Sequence, residues 1–172
     1  MFAKRFQGLR PYVPGEQPKD REYIKLNANE NPYPPSPAVQ DVLKTFDIAD
    51  FRRYPDPDAN DLRRAIAEML GNGVTEDMIF AGNGSDEVLS FVFYAFFDSD
   101  QPLLFPEHTY SFYPVYAGYY DIPFERIPLE EDFSICPNRF LDRPSTGVIF
   151  PNPNAPTGGY LPPEKIRALL ER

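Results

Sequence analysis

Three short loops carry the residues whose types and spacing suit chemistry: "GNGSDE" at 82–87, "PEHTYSFY" at 106–113 and "PNPNAPTGG" at 151–159. In the first, Gly82, Asn83 and Gly84 let the main chain turn tightly and come close to a ligand. The helix that starts there leaves unpaired N–H groups with a partial positive charge, and such an end suits a phosphate. The loop matches neither the dinucleotide fingerprint nor the P-loop. Its plain alternative is a capped helix that binds nothing, with Ser85 as N-cap and Asp86 and Glu87 favouring the dipole. The second loop adds an aromatic ring at Tyr110, and the third adds side-chain amides at Asn152 and Asn154. Taken together, these groups suit a phosphorylated aromatic cofactor. His108 and Cys136 also draw the eye, but one histidine and one cysteine fall short of the ligand set zinc requires, so no metal or catalytic chemistry is assigned to them.

The elements that must position these loops are legible in part. Residues 1 to 35 carry no sustained period and read as an extended arm ending in a polar, turn-rich loop. From Asp58 the pattern changes: Leu62, Ile66 and Met69 recur at helical spacing, Asp58 or Asn60 can cap, and Gly71 stops the helix. "MIFAG" (78–82) reads as a short apolar strand, and Val88 to Phe97 as a buried helix apolar on nearly every side. "PLLFP" (102–106) and "IPFERIPL" (122–129) follow as strands, with a helix across "SFYPVYAGYY" (111–120) that tolerates Pro114 in its first turn. "GVIFP" (147–151) is a fourth strand, and a helix runs from about Pro162 through Ile166, Leu169 and Leu170. Short apolar strands alternating with helices imply an α/β layer fold, part of a mostly parallel sheet flanked by helices. In such folds ligands gather at the carboxyl ends of strands, so the three loops are expected to converge on one crevice.

Composition narrows the partners. Lysine plus arginine number 17 against 26 acidic residues, a net charge of −9, which argues against nucleic acid and for a small-molecule ligand. The apolar run from Val88 to Phe97 falls well short of the ~20 residues that span a bilayer. The single cysteine cannot form an internal disulfide, and "MFAKRFQGLR" lacks a secretory core, so a cytoplasmic protein is expected. Twenty-one prolines could signal disorder, but 42% hydrophobic and 15% aromatic content oppose it. The prolines cluster at 31–37, 54–58 and 151–159 and so mark fixed loops between packed elements.

"LNANENPYPPSP", "RYPDP", "AGNGSDEV", "HTYSFY" and "NPNAPTG", in this order and spacing, closely resemble the histidinol-phosphate aminotransferase family, pyridoxal-phosphate enzymes of fold type I. The resemblance covers nearly the whole chain. Several of these motifs are shared with related aminotransferases, and the "LNANENP" and "RYPDP" pair narrows the match. It implies that residues 1–50 form an N-terminal arm and a small-domain or dimer-contact segment, and that 51–172 are the first part of the large cofactor-binding domain. Gly84, Ser85 and Asp86 would hold the cofactor phosphate, and Tyr110 would stack on the pyridine ring. Tyr54 would reach the cofactor phosphate of the partner subunit in a homodimer. Tyr12 would help line the pocket for the substrate's imidazole, and Asn29 would sit at its mouth.

Two departures from the family pattern stand out. Related enzymes often have Asn immediately before Pro-Thr-Gly, where its amide donates to the cofactor's ring oxygen; this sequence has Ala155 there. Asn154 is the first choice to take over that role, with Asn152 or a residue beyond this chain left open. The family's Schiff-base lysine, its aspartate beside the pyridine nitrogen and its substrate arginine all follow the Pro-Thr-Gly loop. They are expected beyond Arg172, and Lys165 in "PPEKIRALLER" resembles a surface helix residue. The chain therefore reads as the N-terminal half of an enzyme, inactive alone, that would exchange an amino group between L-histidinol phosphate and 2-oxoglutarate in histidine biosynthesis. Rival readings are another member of the fold, such as a threonine-phosphate decarboxylase or an aromatic aminotransferase, and a non-catalytic cofactor-binding or dimerisation module.

Overall fold

The computed structural model describes residues 7, 15–27, 30–98 and 100–171. They fall into two compact units, one ending at Ala81 and the other made of the residues from Gly82 onward together with Gln7. Tyr12 and Asn29 lie outside the described residues.

The unit that ends at Ala81 opens with a stretch lacking regular structure, tied locally by Lys25 to Glu30 at 2.6 Å and by the Asn27 amide donating to the Glu16 carbonyl at 2.8 Å. Helix α1 (Pro37–Thr45) starts where the Ser36 hydroxyl accepts from the Ala38 amide, with proline in the first turn. Neither this helix nor the 3-10 turn at Ile48–Arg52 that follows it is among the elements expected from the sequence. Helix α2 (Asn60–Leu70) matches the expected span and ends at Gly71, whose φ of 61° suits glycine. Its cap differs from the expectation. Neither Asp58 nor Asn60 caps it; the Asp56 carboxylate accepts from both the Asp58 and Asn60 amides, at 3.1 and 2.8 Å. Those backbone hydrogen bonds, that of Asn60 foremost, hold Asp56 below the usual carboxylate range.

The unit beginning at Gly82 holds the sheet. Strands β1 (Leu103–Pro106), β2 (Phe124–Ile127) and β3 (Gly147–Val148) lie in the order β2-β1-β3, and both pairings are parallel. Leu103 faces Phe124 on one side and Gly147 on the other. All of β1 is buried, as a central parallel strand must be. Because side chains alternate across a strand, Leu103 and Phe105 join one cluster with Phe93, Tyr113, Tyr116 and Ile122, while Leu104 joins Ile127, Leu129, Phe140 and Leu161 in a second. The first cluster is roofed by α3 (Ser85–Phe96) and α4 (Tyr113–Tyr119), the second by α5 (Asn138–Leu141) and α6 (Pro163–Leu170). The result is the expected α/β layering with helices on both faces.

Three local expectations fail here for physical reasons. Residues 78–82 form no strand: a 3-10 turn at Glu76–Met78 leads into extended backbone that finds no ladder partner among the described residues, and local apolar character alone cannot make a strand. Helix α3 begins at Ser85, with Gly84 rather than Ser85 at the N-cap. It is also buried along one stripe only: Phe93 is inaccessible, whereas Tyr94 and Phe96 are about 70% exposed (72% and 71%). The strand expected at 147–151 is regular only at Gly147–Val148, although the Ile149 amide still donates to the Leu104 carbonyl at 3.0 Å.

Candidate cofactor site

Parallel pairing sends the loops after β1 and β3 out of the same sheet edge, and specific bonds then draw them to the start of α3. The Tyr110 hydroxyl donates to Asp86 Oδ1 at 2.6 Å, and the Tyr116 hydroxyl of α4 donates to the Asp86 carbonyl at 2.9 Å. The loop after β3 meets the loop after β1 through Asn154, whose Nδ2 donates to the His108 carbonyl at 2.8 Å and whose Oδ1 accepts from the Thr109 hydroxyl at 2.9 Å. The three loops are therefore tied to one another by side-chain bonds.

At the start of α3 the backbone does what a phosphate would require. Gly84 has φ 87° and ψ 167°, a region open to glycine and closed to side-chain-bearing residues. The amides of Ser85, Asp86 and Glu87 occupy the first turn, where no helical carbonyl can accept from them. Glu87 reaches back to accept from the Asn83 amide at 2.6 Å, which fixes the entry of the chain. The Asp86 carboxylate, on the same turn, accepts from the Tyr110 hydroxyl. A Cβ added at Gly84 would meet no atom within 4 Å, which leaves open space beside these amides.

Tyr110 is half-buried and held on two sides: its ring stacks on Phe112 at 5.7 Å and 18°, and Tyr113 meets it edge-on at 5.7 Å and 81°. A cleft of about 220 Å³ nearby is lined by Thr109, Tyr110, Ser111, Arg126 and Pro156, among others, while Ser85 and Asp86 do not line it. Asn154 is 1% exposed, and its second amide proton goes to Thr157 Oγ1 at 3.0 Å. Both of its amide protons are thus bonded inside the chain. Asn152 is paired both ways with the Leu161 backbone at 2.9 Å. Tyr54, in the other unit, is fully exposed (101%). Lys165 is exposed on α6, Lys44 pairs with Asp41, and Lys25 pairs with Glu30. His108 is exposed and Cys136 is half-buried, and among the described residues no three or more metal-ligating side chains are grouped to hold an ion.

Sequence reasoning missed Thr109, Thr157 and Tyr116. Their partners lie 45, 3 and 30 positions away, and only the Thr157 contact is local. Burial pushes the Tyr113 phenol up to about 12; for Tyr116 burial, then the charge of Asp86, does the same. A raised folded value means that the stability these phenols contribute is complete below the ordinary value near 10 and is lost as pH rises through about 12. Phenolate absorbance should therefore show two of the 11 tyrosines ionising late, together with alkaline unfolding; all 11 titrating together near pH 10 with the fold intact would contradict the packing of α4.

A parallel α/β sheet here carries an open helix N-terminus and a fixed aromatic ring at its carboxyl edge, an arrangement that suits a phosphorylated cofactor. The family model described as aminotransferase class I and II matches residues 21–172, and the chain belongs to that family. It is 52% identical over 176 residues to the histidinol-phosphate aminotransferase of Syntrophus aciditrophicus, covering 100% of this chain and 48% of that protein. To histidinol-phosphate aminotransferase 1 of Methylococcus capsulatus it is 54% identical over 164 residues, covering 95% of this chain and 45% of that protein. The chain thus spans about half the length of the curated relatives it matches. Among solved structures, a tetra mutant of Thermus thermophilus aspartate aminotransferase superposes with a TM-score of 0.79 at 21% identity, over 99% of this chain and 47% of that one. The histidinol-phosphate aminotransferase of Sinorhizobium meliloti, solved with pyridoxal-5'-phosphate, gives 0.73 at 23% identity, over 84% and 39%. These likenesses establish the fold type I architecture.

Proposed function

We propose that the complete polypeptide is a pyridoxal-phosphate-dependent aminotransferase that acts on L-histidinol phosphate with 2-oxoglutarate, working in the cytoplasm as a homodimer. The observation that carries the reading is the α3 N-terminus: amides of Ser85, Asp86 and Glu87 without helical acceptors, beside a ring, Tyr110, that is bonded to Asp86. The identity to proteins named for that reaction supports the substrate. The residues present fit the cofactor, since its phosphate needs N–H donors at a positive helix end and its ring needs a flat partner.

When bound, pyridoxal phosphate supplies an electron-withdrawing ring that stabilises the charge left when the α-proton departs. This chain's residues bind and orient. The Ser85 hydroxyl and the first-turn amides hold the phosphate, Gly84 permits the approach, and Tyr110 orients the ring. Tyr54 serves the partner subunit's cofactor, while Tyr12 and Asn29 line the substrate pocket. We assign residues 1–50 to the arm and dimer-contact segment and 51–172 to the large domain. The lysine that moves the proton is assigned to the part of the complete polypeptide that follows, because Lys165 is an exposed residue of α6.

The test compares Tyr110→Ala with Tyr110→Phe in the complete enzyme, reading cofactor affinity and turnover with L-histidinol phosphate. Phenylalanine keeps the ring and loses the hydroxyl with its bond to Asp86, so a several-fold loss is expected; alanine loses the stacking surface as well and should weaken binding by roughly ten- to a hundredfold. Equal losses would mean that the ring does not stack. Turnover with other amines and not with L-histidinol phosphate would reject the substrate.

A further inference from the structure

We propose that Asn154 is a positioning residue: through the Thr109 hydroxyl and the His108 carbonyl it fixes the loop that carries Tyr110, and so sets where a cofactor ring can lie. The inference rests on the functional reading above and adds a role that the family motif does not assign to this position.

The argument begins with burial. A side-chain amide at 1% exposure is costly unless its donors and acceptor are satisfied, and every bond Asn154 makes is inside the chain. Nδ2 donates to the His108 carbonyl at 2.8 Å and to Thr157 Oγ1 at 3.0 Å, and Oδ1 accepts from Thr109 Oγ1 at 2.9 Å. Its backbone joins the same knot, the amide donating to the Gly159 carbonyl and the carbonyl accepting from the Gly158 amide, both at 2.7 Å. Thr157 Oγ1 in turn accepts from the Gly159 amide at 3.2 Å. Asn154 therefore grips two consecutive residues, His108 and Thr109, immediately before Tyr110.

What lies beyond Tyr110 makes the grip consequential. The Tyr110 hydroxyl is tied to Asp86 at the phosphate-binding turn, and the Asp86 carbonyl is tied to Tyr116. One continuous set of bonds thus runs from the loop after β3, through the loop after β1, to the α3 N-terminus. Fixing a ring in advance removes ordering cost from ligand binding. With Asn154 released, the loop loses its anchors at His108 and Thr109, the two residues immediately before Tyr110.

The experiment uses the complete enzyme carrying Asn154→Ala, Thr109→Val or Thr109→Ser, each alone, and Asn154→Ala also in a Tyr110→Ala background. Pyridoxal-phosphate affinity is measured by equilibrium titration, the pH midpoint of the bound cofactor's visible band by spectrophotometry, and loop opening in the apoprotein by amide hydrogen exchange. Asn154→Ala and Thr109→Val should each lower affinity about tenfold and speed exchange across 107–112, whereas Thr109→Ser, which keeps the hydroxyl, should restore both. In the Tyr110→Ala background, Asn154→Ala should change affinity by no more than about twofold, because its effect passes through that ring. The visible band's pH midpoint should stay put. A full Asn154→Ala loss in the Tyr110→Ala background would overturn the proposal, as would a shifted pH midpoint in Asn154→Ala alone, which marks a direct contact with the ring oxygen. If Asn154→Ala does not fold, the Thr109 pair decides, and Thr109→Val behaving like the parent rejects the grip. A parent protein that binds no pyridoxal phosphate sinks the functional reading instead, while the exchange data still judge the loop.

Discussion

Gly84→Ala is expected to lower the affinity of the complete enzyme for pyridoxal phosphate by about a hundredfold. Two costs combine. At φ 87° and ψ 167° a Cβ is strained by roughly 1–3 kcal/mol, which the chain relieves by rotating the peptide planes at the entry to α3. Rotation turns the Ser85 and Asp86 amides away from the phosphate, and each charge-assisted bond so weakened is worth about 1.5–3 kcal/mol. Steric blocking is a minor factor, since the space around the added Cβ is open. Equilibrium titration with the cofactor and with inorganic phosphate checks the point, because both share the turn and should weaken in parallel. Unchanged affinity for both would remove the α3 N-terminus from the site.

Phe93→Ala should destabilise the fold by about 3–5 kcal/mol, a large share of the stability of a domain this size. Phe93 is the fully buried residue of α3, with its ring 5.2 Å from Tyr116, 5.4 Å from Phe97 and 5.9 Å from Tyr113. Truncation leaves a cavity walled by three aromatic rings that cannot collapse without moving α4 against the sheet. Since α4 also holds Asp86 through Tyr116, cofactor affinity should fall with stability. Urea unfolding measures the first effect; a loss under 1 kcal/mol would mean that α3 is not packed as described. Phe93→Leu refills much of the cavity and should recover most of both properties.

The sequence by itself determined the α/β layering, because parallel buried strands and their covering helices leave an apolar-run and turn signature that needs no partner to be read. It also determined α2 and its stop at Gly71, the placement of Pro114 in the first turn of α4, and the three loops proposed to carry the site. Each rests on local chemistry: helical spacing, a glycine with positive φ, a proline without an N–H. Tertiary structure decided what those loops do to one another. Asn154 has the type and place of a cofactor donor in the sequence, and becomes a buried clasp only because His108 and Thr109, 46 and 45 positions earlier, meet it across the sheet edge. Asp86 is likewise claimed by Tyr110 and Tyr116, 24 and 30 positions later. The apolar run at 78–82 has the composition of a strand, yet a strand exists only where a neighbour completes its ladder, and a single segment's residues do not encode that neighbour. Even the one-sided burial of α3 depends on which of its apolar faces β1 and α4 come to cover, because an all-apolar helix carries no stripe to say which side turns inward.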